Sequence, residues 1–228
     1  MASAVLNISK LSKTFLTKDG PLSILNEIDL VIEAGEILAI QGPSGCGKST
    51  LISLIAGLDG FNSGLLEVLG HTPLKMSASD WNSFRARNIG IIFQQFNLLE
   101  HLTAFENIRL PLDLAGVSDA DERTTEALMK VGLIDRKNHF QRELSRGESQ
   151  RVAIARVLVM KPKLILADEP TASLDQKTGK DISQMIFKLA RLEKIAALVV
   201  THDASIADLC DRTFNMKEGK LYSKLVQN

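Results

Sequence analysis

Three kinds of apolar run follow one another along this chain, and their order predicts a layered fold. Residues 5–11 and 24–32 alternate or cluster apolar side chains over strand lengths, and Thr17, Lys18, Asp19, Gly20 and Pro21 make a polar turn between them. Another strand pair is expected around residues 65–69, which gives a small antiparallel sheet. Short continuous runs at 37–40, 89–93, 164–167 and 196–200 read instead as strands buried on both faces, as in a parallel sheet. Helical rhythm fills the spaces between them. Residues 77–86 form a short helix with Ser77 or Ser79 as N-cap, and 104–115 a second that Pro111 is expected to kink or end. The stretch 118–121 resembles a capping box, followed by an apolar face of Ala127, Leu128 and Val131 and a C-cap at Gly132. A further helix begins near Gly147 and runs through Leu158. The pattern predicts one α/β domain over 1–228, with a core and antiparallel sheet at about 1–95 and 161–228 and an inserted helical subdomain at about 96–160.

Composition narrows the class without naming a chemistry. A chain of 228 residues with 45% hydrophobic side chains can bury a full core. Lys and Arg number 27 and Asp and Glu also 27, so no overall positive field recruits nucleic acid or anionic lipid, and no nucleic-acid partner is expected. No run approaches the roughly 18 apolar residues of a membrane span, and no signal peptide is expected at the start. Cys46 and Cys210 read as free thiols of a cytosolic protein.

The chemistry enters where the first buried run ends. Gly42, Pro43, Ser44, Gly45, Cys46, Gly47, Lys48, Ser49 and Thr50 lie between a strand and a helix, the context that the phosphate-binding P-loop pattern requires. The glycines let backbone N–H groups close on phosphate oxygens, and the following helix adds the positive end of its dipole. Lys48 is expected to reach the β- and γ-phosphates and Ser49 to ligate Mg²⁺. Cys46, set among these amides, is expected to be a reactive thiol. A second anion site is expected at the start of the later helix, beside Ser145 and Gly147. The run 164–167 ends in Asp168 and Glu169, and two carboxylates at the end of a buried strand call for a cation or a proton task. Asp168 is expected to hold Mg²⁺ through water and Glu169 to act as base on the attacking water. His202 follows the last buried strand, on the ligand-binding edge of such a sheet.

Taken in order, 42–50, Gln94, the stretch Leu144-Ser145-Arg146-Gly147-Glu148, 164–169, the stretch Ser173-Leu174-Asp175 and His202 resemble the nucleotide-binding subunit of an ABC transporter, over essentially the whole chain. The resemblance implies an ABC ATPase fold and the cofactors ATP and Mg²⁺. It implies Phe15 stacked on adenine, Gln94 linking Mg²⁺ to the membrane partner, Asp175 at a dimer contact and His202 at the γ-phosphate. It also implies that Ser145, Gly147 and Glu148 belong to a signature that contacts ATP held by a second copy, so that two chains work together. The stretches 89–99 and 102–108 are similar to the branch that includes LolD, MacB and FtsE, whose subunits drive separate bacterial permeases from the cytoplasmic face of the inner membrane. The alternative is a soluble or regulatory ABC ATPase not engaged in transport. Residues Phe96, Leu98, Leu99, Leu102 and Phe105 are expected to form a socket for a short permease helix. One departure stands out: Arg146 replaces the first glycine of the usual signature. Arginine enters a positive-φ conformation only at a cost, so either that position is not left-handed or activity is altered.

Overall fold

The computed structural model describes residues 4–223; residues 1–3 and 224–228 of the expected domain lie outside that range. The chain opens with a hairpin of β1 (Ala4–Thr17) and β2 (Gly20–Glu33), whose connection is Lys18 and Asp19. Leu6 and Ile8 are buried at even positions of β1, whereas Leu11 and Lys13 are buried at odd ones. The switch has a cause in the ladder. Lys10 at φ 47° and Glu27 at φ 50° sit where the pairing register shifts, and an extra residue turns every later side chain to the other face. Side chains satisfy the backbone groups at these bulges: Lys10 N–H donates to Asp29 Oδ1 at 2.9 Å and Glu27 N–H to Ser12 Oγ at 3.0 Å.

The chain then enters the larger sheet through β3 (Ile37–Gln41) and leaves it by helix α1 (Lys48–Ile55). It returns briefly to the hairpin as β4 (Ser63–Val68), completing an antiparallel sheet ordered β2-β1-β4. The strand pair expected around 65–69 is therefore one strand, extended only by a single Val68–His71 bridge. Helix α2 (Ala78–Asn88) follows, capped by Ser77, whose hydroxyl accepts from Asp80 N–H. Its Trp81 donates from Nε1 to Ala56 O at 2.9 Å, tying α2 to the end of α1.

The larger sheet adds β5 (Ile89–Ile92), β6 (Leu164–Asp168), β7 (Ala196–Thr201), β8 (Arg212–Lys217) and β9 (Lys220–Ser223) in the order β5-β6-β7-β3-β8-β9. Its strands are parallel except β9, which turns back on β8. Alternation assigns the central strands to two cores. Leu38, Ile40, Leu166, Leu198 and Val200 pack with α1 and the antiparallel sheet. Ile37, Ile165, Ala167, Ala197 and Val199 face the opposite way, onto Ile182, Ile186 and Phe187 of a long helix over residues 176–192. Burial of each such Leu, Ile or Phe stabilises the fold by about 1.5–3 kcal/mol.

A third core is helical. It joins α3 (Ala104–Leu114), α4 (Ala120–Lys130) and α5 (Arg146–Leu158), after which come α6 (Gln176–Leu192) and the short α7 (Ala204–Ala207). Helix α5 serves two cores, giving Ile154 to the sheet and Val152, Ala153 and Ala155 to α3 and α4. Two local expectations change here. Pro111 does not end α3, which continues to Leu114, because a proline removes one ladder donor without unfolding a helix whose Ile108 and Leu112 are fully buried. No capping box forms at 118–121: Asp119 holds the N-cap position of α4, and its carboxylate pairs with Arg123 at 3.1 Å instead of capping. The boxes belong to Thr103 with Glu106 and Ser145 with Glu148. Gly132 follows α4 at φ 69°, the left-handed turn expected of it.

Candidate active site

Strand register brings the chemistry together. Gln41 pairs with Thr201, Asp168 with Val200 and Ile92 with Ala167, so four carboxyl ends share one edge of the sheet. Just past that edge lies a cleft of about 460 Å³. Ser44, Gly45, Gly47, Lys48, Ser49 and Thr50 line one side of it, and Gln94, Glu169 and His202 the other. Ile24 and Ala172 complete the wall, two positions that no motif singled out.

The loop geometry explains its glycines at two positions. Gly47 begins α1 at φ 111°, where an added Cβ would come 2.8 Å from Leu25 Cδ2. At Gly42 an added Cβ would collide with the Met216 carbonyl oxygen and stand 2.8 Å from Cys46 Sγ. That second neighbour shows which way the cysteine faces. Cys46 is buried in the main core rather than open to the cleft, and its N–H donates to Pro43 O at 3.4 Å. The expected reactive thiol is therefore a packed one. Cys210 is likewise held down, with burial pushing its thiol up to about 12. The Lys48 ammonium, itself buried, donates to Gly42 O at 2.8 Å and Pro43 O at 3.0 Å and lies 3.8 Å from Glu169 Oε1.

Glu169 is held by backbone strain. Its N–H still donates to Val200 O at 2.9 Å, as if β6 continued, but its φ turns to 48°. A non-glycine residue in that region is a strained feature of the kind found at functional sites. Oε2 lies 2.8 Å from His202 Nδ1. An ionised carboxylate only accepts, so Nδ1 carries the hydrogen in that pair. Asp168 Oδ1 is buried and has no protein partner. That orphaned oxygen, the Ser49 hydroxyl and the Gln94 amide are hard donors with one charge among them, a set that fits Mg²⁺, an ion that keeps several waters and takes the rest from phosphates.

Other expected residues lie outside this cleft. Ser145 is the N-cap of α5: its hydroxyl accepts from Glu148 N–H at 3.2 Å, and Glu148 Oε2 accepts from Ser145 N–H at 2.8 Å. These bonds hold the Glu148 carboxyl below its usual range, with Arg136 adding to the effect. Arg146 is the first residue of α5 and has a helical backbone, so the missing glycine costs no left-handed strain. Gly147 lies where a Cβ would meet Thr178 Cγ2 at 3.0 Å, a close approach of α5 to α6. Asp175 caps α6 by accepting from Thr178 N–H at 3.0 Å, and Thr178 holds its carboxyl below the usual range. Phe15 does not line the cleft; the Lys13 ammonium stands 4.4 Å from its ring centroid. Leu98 is buried in the helical core, which removes it from the expected socket, whereas Leu99 is 38% exposed.

Sequence reading passed over two side chains here. Gln150 is fully buried and donates to Pro170 O at 2.6 Å, and Arg156 donates to Asn97 O and Phe96 O at 2.6 and 3.1 Å. Both look like ordinary polar positions of an amphipathic helix. Only the fold brings residues 96–97 and 170 against them.

Strand, glycine loop and helix, with a lysine and a strained carboxylate across a cleft, define a P-loop nucleotide-binding protein. The family model described as "ABC transporter" matches residues 25–172. The chain is 41% identical over 219 residues to the lipoprotein-releasing system ATP-binding protein LolD of Bacteroides thetaiotaomicron, covering 95% of this chain and 99% of that one. It is 39% identical over 222 residues to the uncharacterised ABC transporter ATP-binding protein YbbA of Escherichia coli strain K12, covering 96% and 97%. A solved dimer of the ATP-binding cassette MJ0796, in a post-hydrolysis state bound to ADP and Pi, superposes with a TM-score of 0.88 at 34% identity, covering 98% and 99%. The chain belongs to the ABC transporter family, as an ATP-binding subunit that hydrolyses ATP.

Proposed function

We propose that the chain powers a separate membrane permease in a system of the lipoprotein-releasing type. The observation that carries this reading is the convergence of Lys48, Ser49, Gln94, Glu169 and His202 on one cleft, in a chain similar over 95% of its length to a LolD protein. No helix among the described residues is long and apolar enough to cross a membrane. The reading places the chain at the cytoplasmic face of the inner membrane, held there by its permease, as its similarity to a LolD protein suggests. The relatives give no support to a regulator without transport.

In this reading Lys48 and the loop amides of 42–50 hold the ATP phosphates, and Phe15 takes adenine on the ring face away from Lys13. Ser49, Gln94 and Asp168 hold Mg²⁺, which when bound neutralises charge on the β- and γ-phosphates. Glu169 accepts the proton of the water that attacks the γ-phosphorus, while the breaking bond leaves its electron pair on the ADP oxygen. His202 fixes the Glu169 carboxylate and reaches the γ-phosphate. Ser145, Gly147, Glu148 and Asp175, absent from their own chain's cleft, serve the cleft of a second copy, a view supported by the dimeric relative. The core at about 1–95 and 161–228 carries nucleotide, and the helical part at about 96–160 carries the permease contact.

The test is recovery of tagged full-length chain from membranes. An integral membrane protein should co-purify with the parent. Leu99→Glu, at an exposed position, should lose it while keeping ATP binding. Recovery without any membrane protein, or unchanged recovery in Leu99→Glu, would count against the reading and its docking surface respectively.

A further inference from the structure

Helix α5 reaches the segment that carries Gln94 from both of its ends, directly at one and through Ser173 at the other. At the far end, Arg156 donates from Nη1 to Asn97 O at 2.6 Å and from Nη2 to Phe96 O at 3.1 Å. Asn97 sits at φ 49°, so the chain is turned sharply where the guanidinium takes its carbonyl. Both of these Arg156 partners are backbone carbonyls, and burial pushes the Arg156 pKa down from its ordinary value. A half-buried cation whose acceptors are two carbonyls of one loop is placed to hold that loop. At the near end, Arg146 donates from Nη1 to Ser173 O at 3.4 Å, and Ser173 Oγ donates to Gln94 O at 3.4 Å. Arg146 and Arg156 are ten residues apart on one helix, a rise of about 15 Å between their backbone positions.

The geometry points to α5 gripping the Gln94 segment at two points, Arg156 directly and Arg146 through Ser173, so that Gln94 follows α5 as that helix moves. Both arginines are positioning residues for hydrolysis, since neither lines the cleft. The grip also gives the arginine found in place of the usual signature glycine something to hold. Ser145 caps the start of the same helix, so whatever displaces that end reaches Gln94 without passing through the nucleotide. For its effect on turnover the inference rests on the role proposed for Gln94; for the grip itself it does not.

Hydrogen–deuterium exchange on the nucleotide-free full chain tests the grip, and steady-state ATPase kinetics test its consequence. Arg156→Gln should speed exchange of residues 93–98 about 10-fold, the scale of one lost charge-assisted hydrogen bond, with α3 and the rest of α5 unchanged. Arg156→Lys should restore most of that protection. In Arg156→Gln, kcat should fall about 10-fold with KM for ATP within about 2-fold, because the lost interaction matters after binding. Arg146→Ala, at an exposed side chain, should show smaller effects of the same kind, and it carries the test should Arg156→Gln not fold. Parental exchange at 93–98 in every folded variant would overturn the grip, as would exchange raised evenly through 104–158. Selective exchange with parental kcat would refute positioning for hydrolysis while leaving the ATPase assignment standing.

Discussion

At Glu169 a single backbone angle does what the motif alone does not reveal. The pair Asp168 and Glu169 was legible as a strand end with two acids, and so was its partnership with a phosphate loop. What was not legible is that the two acids part company: Asp168 stays with β6, and a φ of 48° turns Glu169 toward Lys48 and His202. The same limit applies to Cys46. Spacing gives the residue type and the loop, but the direction of a side chain depends on Gly42 and Met216, which lies 170 residues further on. Both cysteines are accordingly expected to resist an alkylating reagent in the native chain, with or without MgATP, and to react fully in denaturant. Mass-spectrometric labelling checks this; rapid native labelling of Cys46 suppressed by ATP would show a thiol open to the cleft. Gly42→Ala should force its new methyl against the Met216 carbonyl and Cys46, cost about 1–3 kcal/mol, and weaken nucleotide binding measurably by titration calorimetry.

At the scale of elements, the buried parallel strands were the most legible parts, because a strand covered on both faces is apolar throughout and needs no register to be seen. The hairpin was harder to read. Its bulges at Lys10 and Glu27 break the two-residue period, so the apolar positions look clustered until the shift is known. Caps were misplaced for a related reason. Ser118 and Asp121 have the right residue types, but Asp119 is drawn to Arg123, while Thr103 and Glu106 close a true box on α3. Thr103→Ala should therefore lower stability by about 1 kcal/mol, measurable in thermal unfolding, whereas Ser118→Ala should change little. The boxes also set an acid limit. Hydrogen bonds from Thr103 and Ser145 hold the Glu106 and Glu148 carboxyls below their ordinary value. A lowered folded pKa gives stability that is fully present above the unfolded value of about 4.3 and lost as pH falls through the folded one. Unfolding midpoints should thus be flat through neutral pH on account of these groups and drop only below about pH 4.3. A drop centred near pH 6 would point to other groups.

For the whole molecule, the cleft of one chain gathers Lys48, Ser49, Gln94, Glu169 and His202 but neither Ser145 nor Asp175. Ser145 and Asp175 cap helices away from the cleft, so their proposed work needs a second cleft facing them. Sequence order made that visible only through resemblance, since no periodicity or charge pattern within a chain encodes the face it shows to its copy. MgATP, held but not hydrolysed, is expected to join two chains through these residues. Sedimentation of Glu169→Gln with and without saturating MgATP tests it most directly. Hydrolysis should slow about 10²- to 10⁴-fold, with a dimer in MgATP and a monomer without it; a monomer at saturating MgATP, or hydrolysis at the parent rate, would overturn this assignment.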